Sequence, residues 1–102
     1  LDPKTTSFVL DTYWVQHGGG DVIWWMNKLA GRIDILHLKD MAMSDKQYIT
    51  EIGQGNLNFD GIIETAEKIG VKHYVVEQDT CPGDPFDSLK ISYEYIKSKY
   101  MA

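Results

Sequence analysis

Apolar residues fall along the chain in three consecutive runs, each followed by a stretch in which they recur every three or four positions. The first run, Ser7-Phe8-Val9-Leu10, ends at Asp11. It is apolar on consecutive positions, the pattern of a strand covered on both faces. Gly18-Gly19-Gly20 leads to Asp21, a suitable N-cap, and Val22, Trp25, Met26 and Leu29 then recur at helical spacing up to Gly31. The second run, Ile33-Asp34-Ile35-Leu36-His37-Leu38, closes with Lys39-Asp40. A longer loop with Gly53 and Gly55 follows. Asn58 then caps a helix whose buried stripe is Phe59, Ile62, Ile63 and Ala66, and Gly70 stops it. The third run is His73-Tyr74-Val75-Val76-Glu77, and the loop after it carries Cys81-Pro82-Gly83. Asp84-Pro85 opens the last helix, because proline suits the first helical position, and Phe86, Leu89, Tyr93, Ile96 and Tyr100 line one face.

The order β-α-β-α-β-α implies an α/β fold with a parallel sheet. Three parallel strands leave two bare edges that helices cannot cover. An eight-unit β/α barrel takes about 250 residues, and three-eighths of that is close to the 102 present. A doubly wound sheet or a barrel needs more strands, so either the chain pairs with other copies of itself or it is a piece of something longer. The second is favoured, with residues 1–102 expected as part of one TIM (β/α)8 barrel domain, a partial barrel. Self-association through the exposed barrel edges is expected, with Trp24, Tyr48, Tyr93, Tyr95 and Tyr100 as added contact surface.

Composition narrows the function. An apolar share of 43% argues against disorder, and no apolar run approaches the roughly 20 residues needed to cross a bilayer. The net charge of −5, with lysines scattered among more numerous acids, disfavours nucleic-acid binding. Leu1-Asp2-Pro3-Lys4-Thr5-Thr6 lacks the basic start and apolar centre of a secretion signal. The lone Cys81 has no internal disulfide partner and no nearby histidine to activate it. A cytoplasmic location is expected.

Chemistry in parallel β/α proteins collects at the C-terminal strand ends. Here those ends are Asp11, His37 and Glu77. Strand alternation puts Val9 with Asp11, Ile35 with His37, and Val75 with Glu77, so all three polar groups can face one barrel mouth. Two carboxylates and an imidazole suit Mn²⁺, Mg²⁺, Co²⁺ or Zn²⁺. Each residue also has a plainer reading. Asp11 could simply cap a turn, and His37 could be a core histidine bonded to a carbonyl. Glu77 is harder to explain so, because a buried carboxylate needs a cation or strong donors. His73 begins its strand, falls at the opposite end, and takes no catalytic role.

Leu10-Asp11-Thr12-Tyr13-Trp14, His37-Leu38-Lys39-Asp40, Gly53-Gln54-Gly55-Asn56-Leu57 and Val75-Val76-Glu77-Gln78-Asp79, in that order and spacing, resemble the xylose-isomerase-like barrel proteins, the sugar phosphate isomerases and epimerases. The resemblance runs over nearly the whole chain. It implies one divalent metal ion held by Glu, Asp, His and Glu from four successive strands, with Asp11, His37 and Glu77 as the last three. The first Glu has no counterpart, which implies the C-terminal three βα units, with an active site incomplete on their own. It further implies a sugar or sugar phosphate substrate and proton transfer through an enediolate, with Glu77 as metal ligand and catalytic acid/base. A hydride shift is the mechanistic alternative. Trp14, His17 and Lys39 are the candidate substrate-binding residues. Trp14 stands where related epimerases carry a histidine, and Lys39 could instead pair with Asp40. Two other functions compete: a non-catalytic association domain derived from the barrel, and an abasic-site endonuclease. The second would use more histidines and a basic surface.

Overall fold

Strands form where the apolar runs stand. In the computed structural model, which describes residues 2–81 and 83–101, they are β1 (Phe8–Asp11), β2 (Ile33–Leu38) and β5 (His73–Val76). All three are parallel, in the order β1-β2-β5, with Asp11 opposite His37 and His37 opposite Val75. Leu10 and Leu36 therefore point to the same side of the sheet, where both are buried. Helices α2 (Val22–Lys28) and α3 (Phe59–Ile69) cover that side with Val22, Met26, Phe59, Ile62 and Ala66. The opposite face is bare: Val9 is 55% exposed and Val75 43%. This α/β arrangement is the expected partial barrel.

The caps fall where side-chain chemistry puts them. The Asp21 carboxylate accepts from the Trp24 N–H (2.9 Å), Asn58 Oδ1 from Gly61 (3.1 Å) and Asp84 from Phe86 (2.9 Å). Gly70 ends α3 at φ +82°, a left-handed conformation that glycine adopts without penalty. Pro82, expected in the loop before the last helix, lies outside the described residues.

The structure departs from the sequence reading in three places. Thr12–His17 form a short helix, α1, so His17 ends a helix instead of sitting in the glycine-rich loop. The long loop after β2 contains an antiparallel hairpin, β3 (Asp40–Met43) with β4 (Gln47–Thr50). The last helix, α4 (Pro85–Tyr100), turns a different face inward from the one its apolar spacing suggests. Ser88 and Ser92 are its buried residues, whereas Phe86 is 78% exposed and Leu89 and Tyr93 are also open. Hydrogen bonds explain this docking. The Ser88 hydroxyl donates to Glu51 Oε1 (2.8 Å) and Ser92 Oγ accepts from the Ile52 N–H (2.9 Å). Tyr95 lies against Gly53, where any Cβ would collide with its ring. Leu89, Tyr93 and Ile96 instead face Tyr74 and Val76 across a groove of about 890 Å³ along β5.

The hairpin and the loop behind it are organised by Asp40, which is buried. Oδ1 accepts from the N–H groups of Met41 (2.8 Å) and Leu57 (3.0 Å), and Oδ2 from Gly53 (3.0 Å) and Gly55 (3.1 Å). Four backbone donors thereby satisfy one buried charge. Gly55 is required for the close approach, since an added Cβ would fall 2.6 Å from Asp40 Oδ1.

Asp40→Ala leaves those four N–H groups without their acceptor. It should lower unfolding free energy by about 3 kcal/mol or more, read from a urea titration. Glu51 supplies a pH prediction. Its own backbone N–H, against the opposing effect of burial, and the Ser88 and Thr50 hydroxyls hold its pKa below the ordinary 4.5. The stability it contributes is complete above 4.5 and is lost as pH falls through the depressed folded value. Thermal melts of Glu51→Gln between pH 6 and 3 should therefore show a smaller acid loss than the unmodified chain.

Candidate metal centre

The parallel register sets Asp11 beside His37 at the C-terminal ends of β1 and β2. Glu77 follows β5 directly, and its N–H donates to the Leu38 carbonyl (3.2 Å), extending the ladder past the strand. Two positions beyond Val75, Glu77 shares the face of Asp11 and His37. One potential ligand atom from each of Asp11, His37 and Glu77 lies within 4.8 Å of the others. His37 Nδ1 is 3.3 Å from Glu77 Oε2 and 3.9 Å from Asp11 Oδ2. The three strand-end residues are brought together on the bare face of the sheet.

Asp11 is a cap, the plainer of the readings weighed for it. Oδ1 accepts from the Trp14 N–H (2.9 Å) and caps α1, which leaves Oδ2 turned into the cluster. Thr12, fully buried, locks this corner. Its hydroxyl donates to the Lys39 carbonyl (2.7 Å) and accepts from the Lys39 N–H (2.9 Å).

Lys39 is the centre of charge. Only 2% exposed, its ammonium reaches Asp11 Oδ2 (2.6 Å), Glu77 Oε1 (2.7 Å) and Asp79 Oδ2 (2.9 Å). Burial alone would pull the lysine pKa down, but the hydrogen bonds to Asp11, Glu77 and Asp79 overcome that and hold it above the ordinary value. The pairing with Asp40 considered from the sequence is not formed. Asp40 is committed to backbone donors, and β-strand alternation turns adjacent side chains to opposite faces.

Trp14 stands at the rim, and its indole Nε1 donates to Asp79 Oδ2 (3.0 Å). The Lys39 ammonium first, and the Trp14 N–H with it, hold the Asp79 carboxyl below its ordinary pKa against the effect of desolvation. His17 lies behind this wall. Its Nδ1 is 3.2 Å from the Tyr13 hydroxyl and its ring packs edge-on to Trp14 at 5.0 Å. Tyr13, Trp14 and His17 thus form one aromatic cluster beside the carboxylates. His73 sits at the other end of β5, opposite Ile35. Thr12 and Asp79 are the residues at this site that the sequence reading did not single out. Asp79 stood inside a quoted segment, two positions after Glu77, the spacing that keeps an extended chain on one face.

A divalent cation fits this donor set. Two carboxylates and an imidazole lie within one ion's reach, and the carboxylates are already arranged around a positive charge. Among the described residues no helix is long and apolar enough to cross a membrane.

No protein-family model matches the chain. It is similar to an inosose dehydratase of Mesomycoplasma hyopneumoniae strain J, 27% identical over 120 aligned residues, which take in 95% of this chain and 39% of that protein. Among solved structures it resembles a sugar phosphate isomerase/epimerase from Parabacteroides distasonis, with a TM-score of 0.85 at 30% identity, over 99% of this chain and 33% of that one. It also has the fold of part of a xylose isomerase domain protein from Planctomyces limnophilus (TM-score 0.70, 18% identity, 90% of this chain and 36% of that one). The IolI protein, solved with a bound zinc atom, matches similarly (TM-score 0.67, 19% identity, 90% and 36%). The chain therefore spans well under half the length of the proteins it matches. In sequence and fold the chain is similar to part of a sugar phosphate isomerase/epimerase, and in fold alone to parts of the other two β/α-barrel structures.

Proposed function

We propose that residues 1–102 are the C-terminal β/α units of a metal-dependent sugar isomerase or epimerase and contribute Asp11, His37 and Glu77 to its cation site. The convergence of these three side chains within 4.8 Å carries the reading. The zinc atom in the structure of IolI, a fold relative, is consistent with it. The bound cation would be Mn²⁺, Mg²⁺, Co²⁺ or Zn²⁺, and it would polarise a sugar carbonyl and acidify the neighbouring C–H.

Glu77 is the base in this reading. It sits at the strand end on the open face, where its carboxylate can take the proton from the carbon next to the carbonyl and return it to the neighbouring carbon on the same side. Return to the opposite face requires a second carboxylate across the substrate, the Glu without a counterpart in residues 1–102. Lys39 donates a hydrogen bond to an oxygen of the sugar or sugar phosphate, and the Trp14 face packs on the substrate's C–H groups. His17 supports Trp14 from behind. Isomerisation, epimerisation and dehydration of a hydroxyketone all begin with this proton removal. Dehydration is the second reading, favoured by the similarity to an inosose dehydratase. In that case the electron pair left on carbon expels a β-hydroxyl, which leaves with a proton as water.

Titration of the full-length protein with Co²⁺ should reveal one bound ion by its visible absorption, weakened about tenfold or more by His37→Ala or Asp11→Asn. Absence of binding, or indifference to both changes, would remove the metal reading. In the full-length enzyme Glu77→Gln should lower kcat by about a hundredfold or more. Near-normal turnover would exclude Glu77 as the base.

A further inference from the structure

Asp79 touches two of the site's side chains yet does not belong to the Asp11–His37–Glu77 group. A single oxygen, Oδ2, accepts both from Lys39 Nζ (2.9 Å) and from Trp14 Nε1 (3.0 Å). The other two carboxylates on Lys39 are Asp11 and Glu77, the same two a divalent cation requires. An ammonium and a divalent ion repel each other and cannot both lie between Asp11 and Glu77. Lys39 is almost wholly buried and takes its charge partners from within the cluster. It needs a carboxylate that the metal does not use, and Asp79 alone among its partners meets that condition. The indole of Trp14 fixes the Asp79 oxygen in place from α1, 65 residues away in sequence.

On the metal reading above, we propose that Asp79 is a positioning residue that keeps the Lys39 ammonium beside the cation position instead of in it. Lys39 then remains charged and close to the site as a donor to a substrate oxygen. The same carboxylate oxygen steadies the aromatic wall formed by Trp14.

The test is a Co²⁺ titration of the full-length protein, comparing unmodified protein with Asp79→Asn, Asp79→Ala, Lys39→Met and the Asp79→Asn/Lys39→Met double variant. Asp79→Asn preserves shape and hydrogen bonding, which guards against a folding defect in Asp79→Ala. Without the Asp79 charge, Lys39 stays on Asp11 and Glu77 and competes with the ion, so both single Asp79 variants should bind Co²⁺ about tenfold more weakly. Removing Lys39 removes the competitor, so the double variant should bind within about threefold of Lys39→Met alone. That rescue separates positioning from a general loss of negative charge, which would persist without Lys39. The proposal is overturned if Asp79→Asn binds as tightly as the unmodified protein, or if its defect survives in the double variant. If the unmodified protein binds no Co²⁺, the metal reading falls and takes this one with it. Binding that is indifferent to Asp79 sinks this inference alone.

Discussion

The end of this sheet is governed by charge compensation. Asp11, Glu77 and Asp79 crowd one corner, and the repulsion among three carboxylates is offset by a cation placed between them. Lys39 meets that need from inside the fold, because its position after β2 puts it two residues beyond His37 and on the same face. Its stem is enclosed, so the ammonium cannot swing out to solvent as a surface lysine would. Thr12 reinforces the arrangement by binding the Lys39 backbone through both its hydroxyl proton and its oxygen. The acidic corner, the lysine and the turn into α1 therefore form one unit.

A second buried charge supports the first from behind. Asp40 is the next residue after Lys39, and alternation turns it away from the cluster toward the loop that returns from the hairpin. There it collects four backbone N–H groups, which is how a buried carboxylate without a cationic partner is tolerated. Lys39 and Asp40 are adjacent and oppositely charged, but they neutralise different things. One serves the acidic corner at the strand ends and the other the loop behind it.

Strand positions, helix caps and the convergence of Asp11, His37 and Glu77 were legible because each follows from a local rule. Consecutive apolar residues mark covered strands, Asp21, Asn58 and Asp84 have side chains that reach their own helix N–H groups, and a period of two places strand-end residues on a shared face. What escaped depends on distant partners. The β3–β4 hairpin carries no turn dipeptide and reads as loop until Asp40 is seen gathering its return segment. Helix α4 has an apolar stripe, yet it docks through Ser88 and Ser92, whose partners lie 37 and 40 residues back. Small polar residues four apart allow close approach, a signal weaker than a run of leucine and tyrosine. Asp79 escaped for the same reason: its meaning comes from Lys39 and Trp14, neither of which is near it in sequence.

The two faces of the sheet have opposite fates. Leu10 and Leu36 are sealed under α2 and α3, whereas Val9 and Val75 on the other side stand open. A parallel sheet is stable with both faces covered, so an apolar surface has to come onto Val9, Ile35 and Val75. That same face carries Asp11, His37 and Glu77 at its end. Whatever covers the valines must also wall in the carboxylates and imidazole, lowering the local dielectric and shutting out bulk water. In this architecture, a cover over the valines would enclose the three strand-end side chains as well. The groove along β5 lies away from that end of the sheet, since its lining includes His73, at the opposite end of the strand from Glu77, and none of Asp11, His37 and Glu77.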